Sequence, residues 1–149
     1  MKIAIGCDHG GFRLKEEVLP FLKELGVDYH DFGCFSPESV DYPDVAIPLA
    51  KAVAAGEYER GILLCGTGIG VSLAANKVRG VRAAVIHDTY SARMSREHND
   101  LNVLTLGGRV IGPDLACEVI RTFLTTEFSG DARHQRRVAK IMAQEKAAD

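Results

Sequence analysis

Short apolar runs closed by glycine or polar residues alternate along this chain with longer stretches at helical spacing. Lys2-Ile-Ala-Ile-Gly6 is an apolar run ending at glycine, which predicts a buried strand. From Gly11 to Leu25, Phe12, Leu14, Val18, Phe21, Leu22 and Leu25 recur at helical spacing, and Gly26 follows as a stop. Pro20 inside that pattern predicts a kink or two helical pieces. Val27 to Phe32 reads as a second strand, Gly33 to Tyr42 as a loop, and Pro43 to Gly56 as a helix weakened in its middle by Pro48. Arg60 to Cys65 is a third strand, followed at once by Gly66-Thr-Gly-Ile-Gly70 and an alanine-rich helix over about Val71 to Val78. Arg82 to Ile86 is a fourth strand, before a helix carrying Tyr90, Ala92, Met94 and Ser95. Asn102 to Leu106 is a fifth strand, closed by Gly107-Gly108. Gly112-Pro113-Asp114 then opens a helix, with proline in the first turn where its missing N–H costs nothing. Ala132 to about Lys146 reads as a last helix, basic at its start.

Strand-then-helix alternation of this kind predicts a parallel sheet covered on both faces. The expected fold is α/β: a single doubly wound, Rossmann-like domain over residues 1–149, with a five-stranded parallel sheet and helices on both faces. No repeat, low-complexity tract or linker divides the chain. At 149 residues, with 46% hydrophobic and 26% charged residues, it is long enough for a core without a metal or disulfide staple. A formal charge of -2 argues against a general nucleic-acid binder. The run from Gly61 to Ala75 is broken by glycine and falls short of a membrane span, and the opening residues do not read as a secretory signal. Cys7, Cys34, Cys65 and Cys117 form no Cys-x-x-Cys pair, a usage that fits a reducing cytoplasm.

In an open α/β sheet, ligands bind beyond the carboxyl ends of the strands. The segments expected there are Cys7-Asp8-His9-Gly10-Gly11, Cys65-Gly66-Thr67-Gly68-Ile69-Gly70, His87-Asp88 and Gly107-Gly108-Arg109. Glycines at 66, 68 and 70 let backbone N–H groups approach an anion, and the following helix presents its positive end. A thiol beside that end ionises more readily, so Cys65 is a candidate base or nucleophile and the N–H groups are candidate oxyanion donors. The plainer alternative is a buried strand cysteine before a tight structural turn. The loop matches neither the dinucleotide fingerprint nor the phosphate loop of nucleotide hydrolases, and it lacks the arginine a cysteine phosphatase needs.

Asp8-His9 supplies a carboxylate and an imidazole within one turn, and His98-Asn99 ends the helix after strand four. Either histidine could work as an acid or base near neutral pH. For His98 the alternative is a cation suited to the helix C-terminal dipole. His30 and His87 read as structural residues of the strands. No His, Cys and Asp set has metal-ligand spacing, so no metal is expected. Arg133 and Arg137, four apart in Arg133-His134-Gln135-Arg136-Arg137, share a helix face and could hold one phosphate.

Taken together, these segments, with Ser39-Val-Asp-Tyr-Pro43, Ala74-Ala75-Asn76-Lys77 and Val138 after Arg137, resemble the type B ribose-5-phosphate isomerases across essentially the whole chain. That family also includes galactose-6-phosphate isomerase subunits. The resemblance implies interconversion of D-ribose 5-phosphate and D-ribulose 5-phosphate in the pentose phosphate pathway through an enediolate, with neither metal nor organic cofactor. It implies Cys65 as the base, Thr67 assisting proton transfer to oxygen, and N–H groups of Gly66, Gly68, Ile69 and Gly70 holding the enediolate. Some relatives use a loop glutamate as base, but Val71 and Ser72 offer no carboxylate here. It implies His98, supported by Asp8, as the group that opens the sugar ring. His9, Arg109, Arg133 and Arg137 would take the phosphate, and Asp41, Tyr42 and Asn99 the sugar. His98, Asn99 and Arg109 would come from a neighbouring subunit, so the implied unit is a homodimer, or a tetramer built from it, with sites shared between chains.

Three other readings compete. One is the same chemistry on another aldose phosphate, such as allose 6-phosphate or galactose 6-phosphate, or on free aldoses. Another is a non-catalytic phosphate- or nucleotide-binding module, which would have no use for a base. The third is a cysteine redox protein, for which Cys7 is the one resolving partner expected near Cys65.

Overall fold

The structure, a computed structural model, describes residues 1–147. Its strands are β1 (Lys2–Cys7), β2 (Asp28–Asp31), β3 (Arg60–Cys65), β4 (Ala83–Val85) and β5 (Val103–Gly107). Its helices are α1 (Phe12–Glu24), α2 (Pro43–Ala54), α3 (Ile69–Asn76), α4 (Thr89–Asn99), α5 (Pro113–Thr125) and α6 (Ala132–Ala147). The strands form one parallel sheet in the order β2-β1-β3-β5-β4. Strand β3, whose six residues are all buried, sits at its centre.

Alternation along the strands divides the core in two. Ile3, Ile5, Ile62, Leu64, Leu104 and Leu106 face α1, α4 and α5, while Ala4, Leu63, Cys65 and Val103 face α2 and α3. Fully burying one such aliphatic side chain is worth ~1.5–3 kcal/mol, so the two clusters fix both the register and the helix faces. The five-stranded, doubly covered sheet expected from the pattern is the one formed.

Pro20 and Pro48 lie inside α1 and α2 without ending them. Both are on the solvent side, where water can take the carbonyl each proline leaves unpaired, and buried Val18, Leu22, Leu49 and Ala50 hold the helices in place. Helix α3 begins at Ile69, two residues earlier than the apolar pattern indicates, so Ile69 and Gly70 belong to its first turn. Strand β4 is shorter than its apolar run, because Arg82 and Ile86 bond outside the regular β4 pairing.

Candidate active site

The chain runs outward from β1 to β2 and then returns to place β3 on the other side of β1. Helix α1 therefore leaves on one face and α3 on the other, which opens a crevice beyond the ends of β1 and β3. Three glycine-containing loops meet there by backbone contact. A Cβ on Gly10 would stand 2.7 Å from the amide nitrogen of Gly66, one on Gly108 2.7 Å from the carbonyl of Gly10, and one on Gly107 2.8 Å from the carbonyl of Thr67. Gly108 N–H donates to the Cys65 carbonyl (2.7 Å) and Arg109 N–H to that of Gly66 (3.1 Å).

Cys65, 4% exposed, ends β3 on the α2/α3 face. The Gly68 N–H donates to its Sγ at 3.1 Å. Gly68 caps α3 in the left-handed region (φ 79°), which is what turns this N–H back toward the thiol. The Thr105 hydroxyl, fully buried in β5, donates to the Gly68 carbonyl at 2.8 Å and locks the turn. Thr67 Oγ1 accepts from Ile69 N–H at 3.2 Å. The Tyr42 ring covers Gly70 so closely that a Cβ there would lie 2.7 Å from it. Asp41 is exposed beside it and caps the start of α2 through its carbonyl.

On the other side of the crevice, Asp8 Oδ1 accepts from Gly10 N–H (2.8 Å) and Gly11 N–H (3.2 Å). His9 Nδ1 accepts from Val40 N–H at 3.2 Å, which leaves Nε2–H as the remaining ring donor. His9, Gly10, Arg13, Pro37, Gly108 and Arg109 line a cleft of about 430 Å³. The Arg109 guanidinium lies against Gly66 of its own chain; a Cβ on Gly66 would meet its Nη1 at 3.3 Å. In this geometry Arg109 belongs to the same half of the site as Cys65, not to a half contributed by a neighbour.

His98, Asn99, Arg133 and Arg137 lie elsewhere. The Asn99 carbonyl accepts from Arg82 Nε (3.1 Å), and the Arg82 carbonyl accepts from Val103 N–H at the start of β5. The register of β3 and β5 pairs Val103 with Gly61 and Gly107 with Cys65. Asn99 is thus tied to the opposite end of the sheet, four residues or about 13 Å along the strands from the thiol. His98 stacks on His134 of α6 (4.2 Å between centroids, 12° between planes), and Arg133 and Arg137 lie on that helix. Burial, followed by the neighbouring His98 and Arg133, pushes His134 below the usual histidine range. Within one chain the two groups of residues face opposite ends of the sheet.

The histidines read as structural have packing partners. His87 Nε2 accepts from Gly107 N–H (2.9 Å), burial holds it below the usual range, and it fixes the start of the Gly107-Gly108 turn. His30 packs between Phe32 and Tyr58. Cys7 does not serve Cys65 as a resolving thiol, because alternation places it on the α1 face of the sheet. Its Sγ lies 3.8 Å from that of Cys34, and burial pushes it up to about 12. Two contributors escaped the sequence reading. Thr105 was visible as the lone polar residue in Val103–Leu106, whereas Arg13 offered no signal beyond standing two residues past the Gly10-Gly11 pair.

Gly68→Ala tests the cradle. A Cβ there would meet the Leu106 carbonyl carbon at 2.9 Å in a backbone conformation that disfavours side chains. The expected cost is about 2–4 kcal/mol. In a thermal melt, that lowers Tm by about 5–10 °C for a domain of this size. An unchanged melt would show that the turn can relax.

Among the described residues, no helix is long and apolar enough to cross a membrane. The model of the Ribose/Galactose Isomerase family matches residues 3–141. The chain is 51% identical over 142 residues to ribose-5-phosphate isomerase B of Escherichia coli (strain K12), covering 95% of each. It is 48% identical over 132 residues to the D-erythrulose-4-phosphate isomerase of Pectobacterium atrosepticum, covering 87% of this chain and 86% of that protein. Among solved structures, ribose-5-phosphate isomerase B of Clostridium thermocellum superposes with a TM-score of 0.97 at 56% identity, covering 100% of each chain.

Proposed function

The chain belongs to the ribose/galactose isomerase family and is an aldose–ketose isomerase; from that premise we propose that it interconverts D-ribose 5-phosphate and D-ribulose 5-phosphate through an enediolate. The observation that carries this reading is the Cys65 sulfur held by the Gly68 N–H at the mouth of a crevice whose far wall is cationic. Cys65 removes the proton from C2 and returns it to C1. The enediolate oxygens lie against N–H groups of the Gly66–Gly70 turn, and Thr67 passes the proton between the two oxygens. A carbon beside a carbonyl is too weakly acidic for a thiolate alone, and losing one oxyanion donor commonly costs about 2.7–4 kcal/mol. The turn therefore matters as much as the base.

Phosphate sits at His9 and Arg109, remote from the reacting carbons, so its binding energy orients them. Asp8 supports ring opening, and Asp41 and Tyr42 border the sugar. His98 as ring-opening acid, Asn99, and the phosphate partners Arg133 and Arg137 complete the site from a second copy of the chain. The about 13 Å along the strands between Asn99 and the thiol favours this arrangement, since one chain does not bring them together. The working unit is thus a homodimer, or a tetramer of such pairs, acting in the cytoplasm.

Isomerisation of a different sugar phosphate is the second reading, favoured by the 48% identity to a relative named for a four-carbon substrate. A panel of aldose phosphates of four to six carbons, assayed for ketose with no added metal, separates the two. The highest kcat/KM is expected with ribose 5-phosphate; a higher value with another aldose would reassign the substrate and leave the chemistry standing.

A further inference from the structure

Arg13 is the second residue of α1, and its side chain reaches the cleft between His9 and Arg109. None of the residues lining that cleft is acidic. Among the described residues, neither the Arg13 nor the Arg109 side chain is held in an ion pair. Asp8, next to His9 in the chain, turns Oδ1 onto the Gly10 and Gly11 N–H groups, and Glu16 and Glu17 of α1 do not line the cleft. Two guanidinium groups therefore line one small cleft whose lining holds no carboxylate, although their mutual repulsion would favour separation. The Asp8 carboxylate is engaged at the N-terminus of α1, on the N–H of its N-cap Gly11. A ligand that stabilises this arrangement must bring more than one negative charge.

We propose that Arg13 is a specificity-determining residue of the isomerase, selecting a substrate that ends in a doubly charged phosphate over one ending in a singly charged sulfonate. The inference rests on the isomerase reading above and deepens it. A phosphate monoester carries nearly two negative charges above its second pKa of about 6, and its three oxygens can accept from Arg13, Arg109 and His9 Nε2 together. A sulfonate presents the same oxygens with one charge and gains less from the second guanidinium. Because the phosphate keeps its other partners when Arg13 is lost, the reacting carbons stay oriented and the loss falls mainly on binding.

The test is Arg13→Gln, with Arg13→Lys as the charge-retaining control. Inorganic phosphate and methanesulfonate serve as competitive probes at low ionic strength and pH 8, with ribose 5-phosphate as substrate. Arg13→Gln should raise KM about tenfold with kcat within about twofold, the loss of one charge-assisted contact. The inhibition constant for phosphate should rise by a similar factor, that for methanesulfonate by much less, and Arg13→Lys should recover part of the phosphate affinity. An unchanged KM and phosphate constant in Arg13→Gln would overturn the proposal while the isomerase reading stood. So would a fall in kcat and Tm with phosphate binding intact, which would mark a structural role. Should the unmodified protein turn over no aldose phosphate, the isomerase reading itself falls. Phosphate titrated calorimetrically into it and into Arg13→Gln would then still decide whether Arg13 holds the anion.

Discussion

Replacing Cys65 with alanine is expected to lower kcat by about 10²–10⁴-fold while leaving ribose 5-phosphate binding measurable by calorimetry. The thiol touches the cradle only through Gly68 N–H and is otherwise packed among apolar neighbours, so truncating it leaves the phosphate cleft and the glycine turns in place. On the proposed mechanism, what disappears is the base that carries the proton from C2 to C1. Cys65→Ser should be nearly as inactive, because a serine hydroxyl next to the same N–H does not ionise near neutral pH. Retention of kcat within about tenfold in either variant would move the base elsewhere. Loss of binding together with turnover would indicate instead that the crevice had collapsed.

The second large effect is a recovery. His98→Asn and Cys65→Ala proteins should each be nearly inactive on ring-form ribose 5-phosphate. Mixed in equal amounts and allowed to exchange subunits, they should regain about one quarter of the unmodified activity per site. Half the dimers formed are then mixed, and each mixed dimer pairs an intact Cys65 on one chain with an intact His98 on the other at one of its two sites. The basis is the 13 Å or so of strand between the two groups, which lie at opposite ends of one sheet. Activity that stays at the average of the two variants would mean that each site is built within a single chain.

The fold was legible because the strands are short apolar runs that end in glycine, and because helical periodicity survives around Pro20 and Pro48. Local propensity misjudged those two prolines, since the buried faces of α1 and α2 outweigh one lost hydrogen bond each. The loops at the strand ends could be read for the same physical reason that they meet. Only glycine permits the backbone approaches at positions 10, 107 and 108, so the sequence marks them. What could not be read is the pairing of distant elements. Strand order, the separation of Cys7 from Cys65 by the sheet, and the contact of Arg109 with its own Gly66 all depend on tertiary packing that local pattern does not encode. Arg13 lay hidden for a related reason: one exposed arginine on an amphipathic helix looks like any solvated charge until the fold sets it beside His9 and Arg109.

The most direct measurement of the central claim is the fate of hydrogen when ribose 5-phosphate is incubated with the protein in deuterated water, with no metal or cofactor added. Proton transfer through an enediolate and the Cys65 sulfur gives ribulose 5-phosphate carrying solvent deuterium at C1, and recovered ribose 5-phosphate labelled at C2. Some direct return of the original proton lowers the label without removing it. Ketose that forms with no deuterium, its hydrogen carried entirely from C2 to C1, would contradict a proton that exchanges with solvent on the Cys65 sulfur, and the absence of any ketose would contradict the assigned substrate.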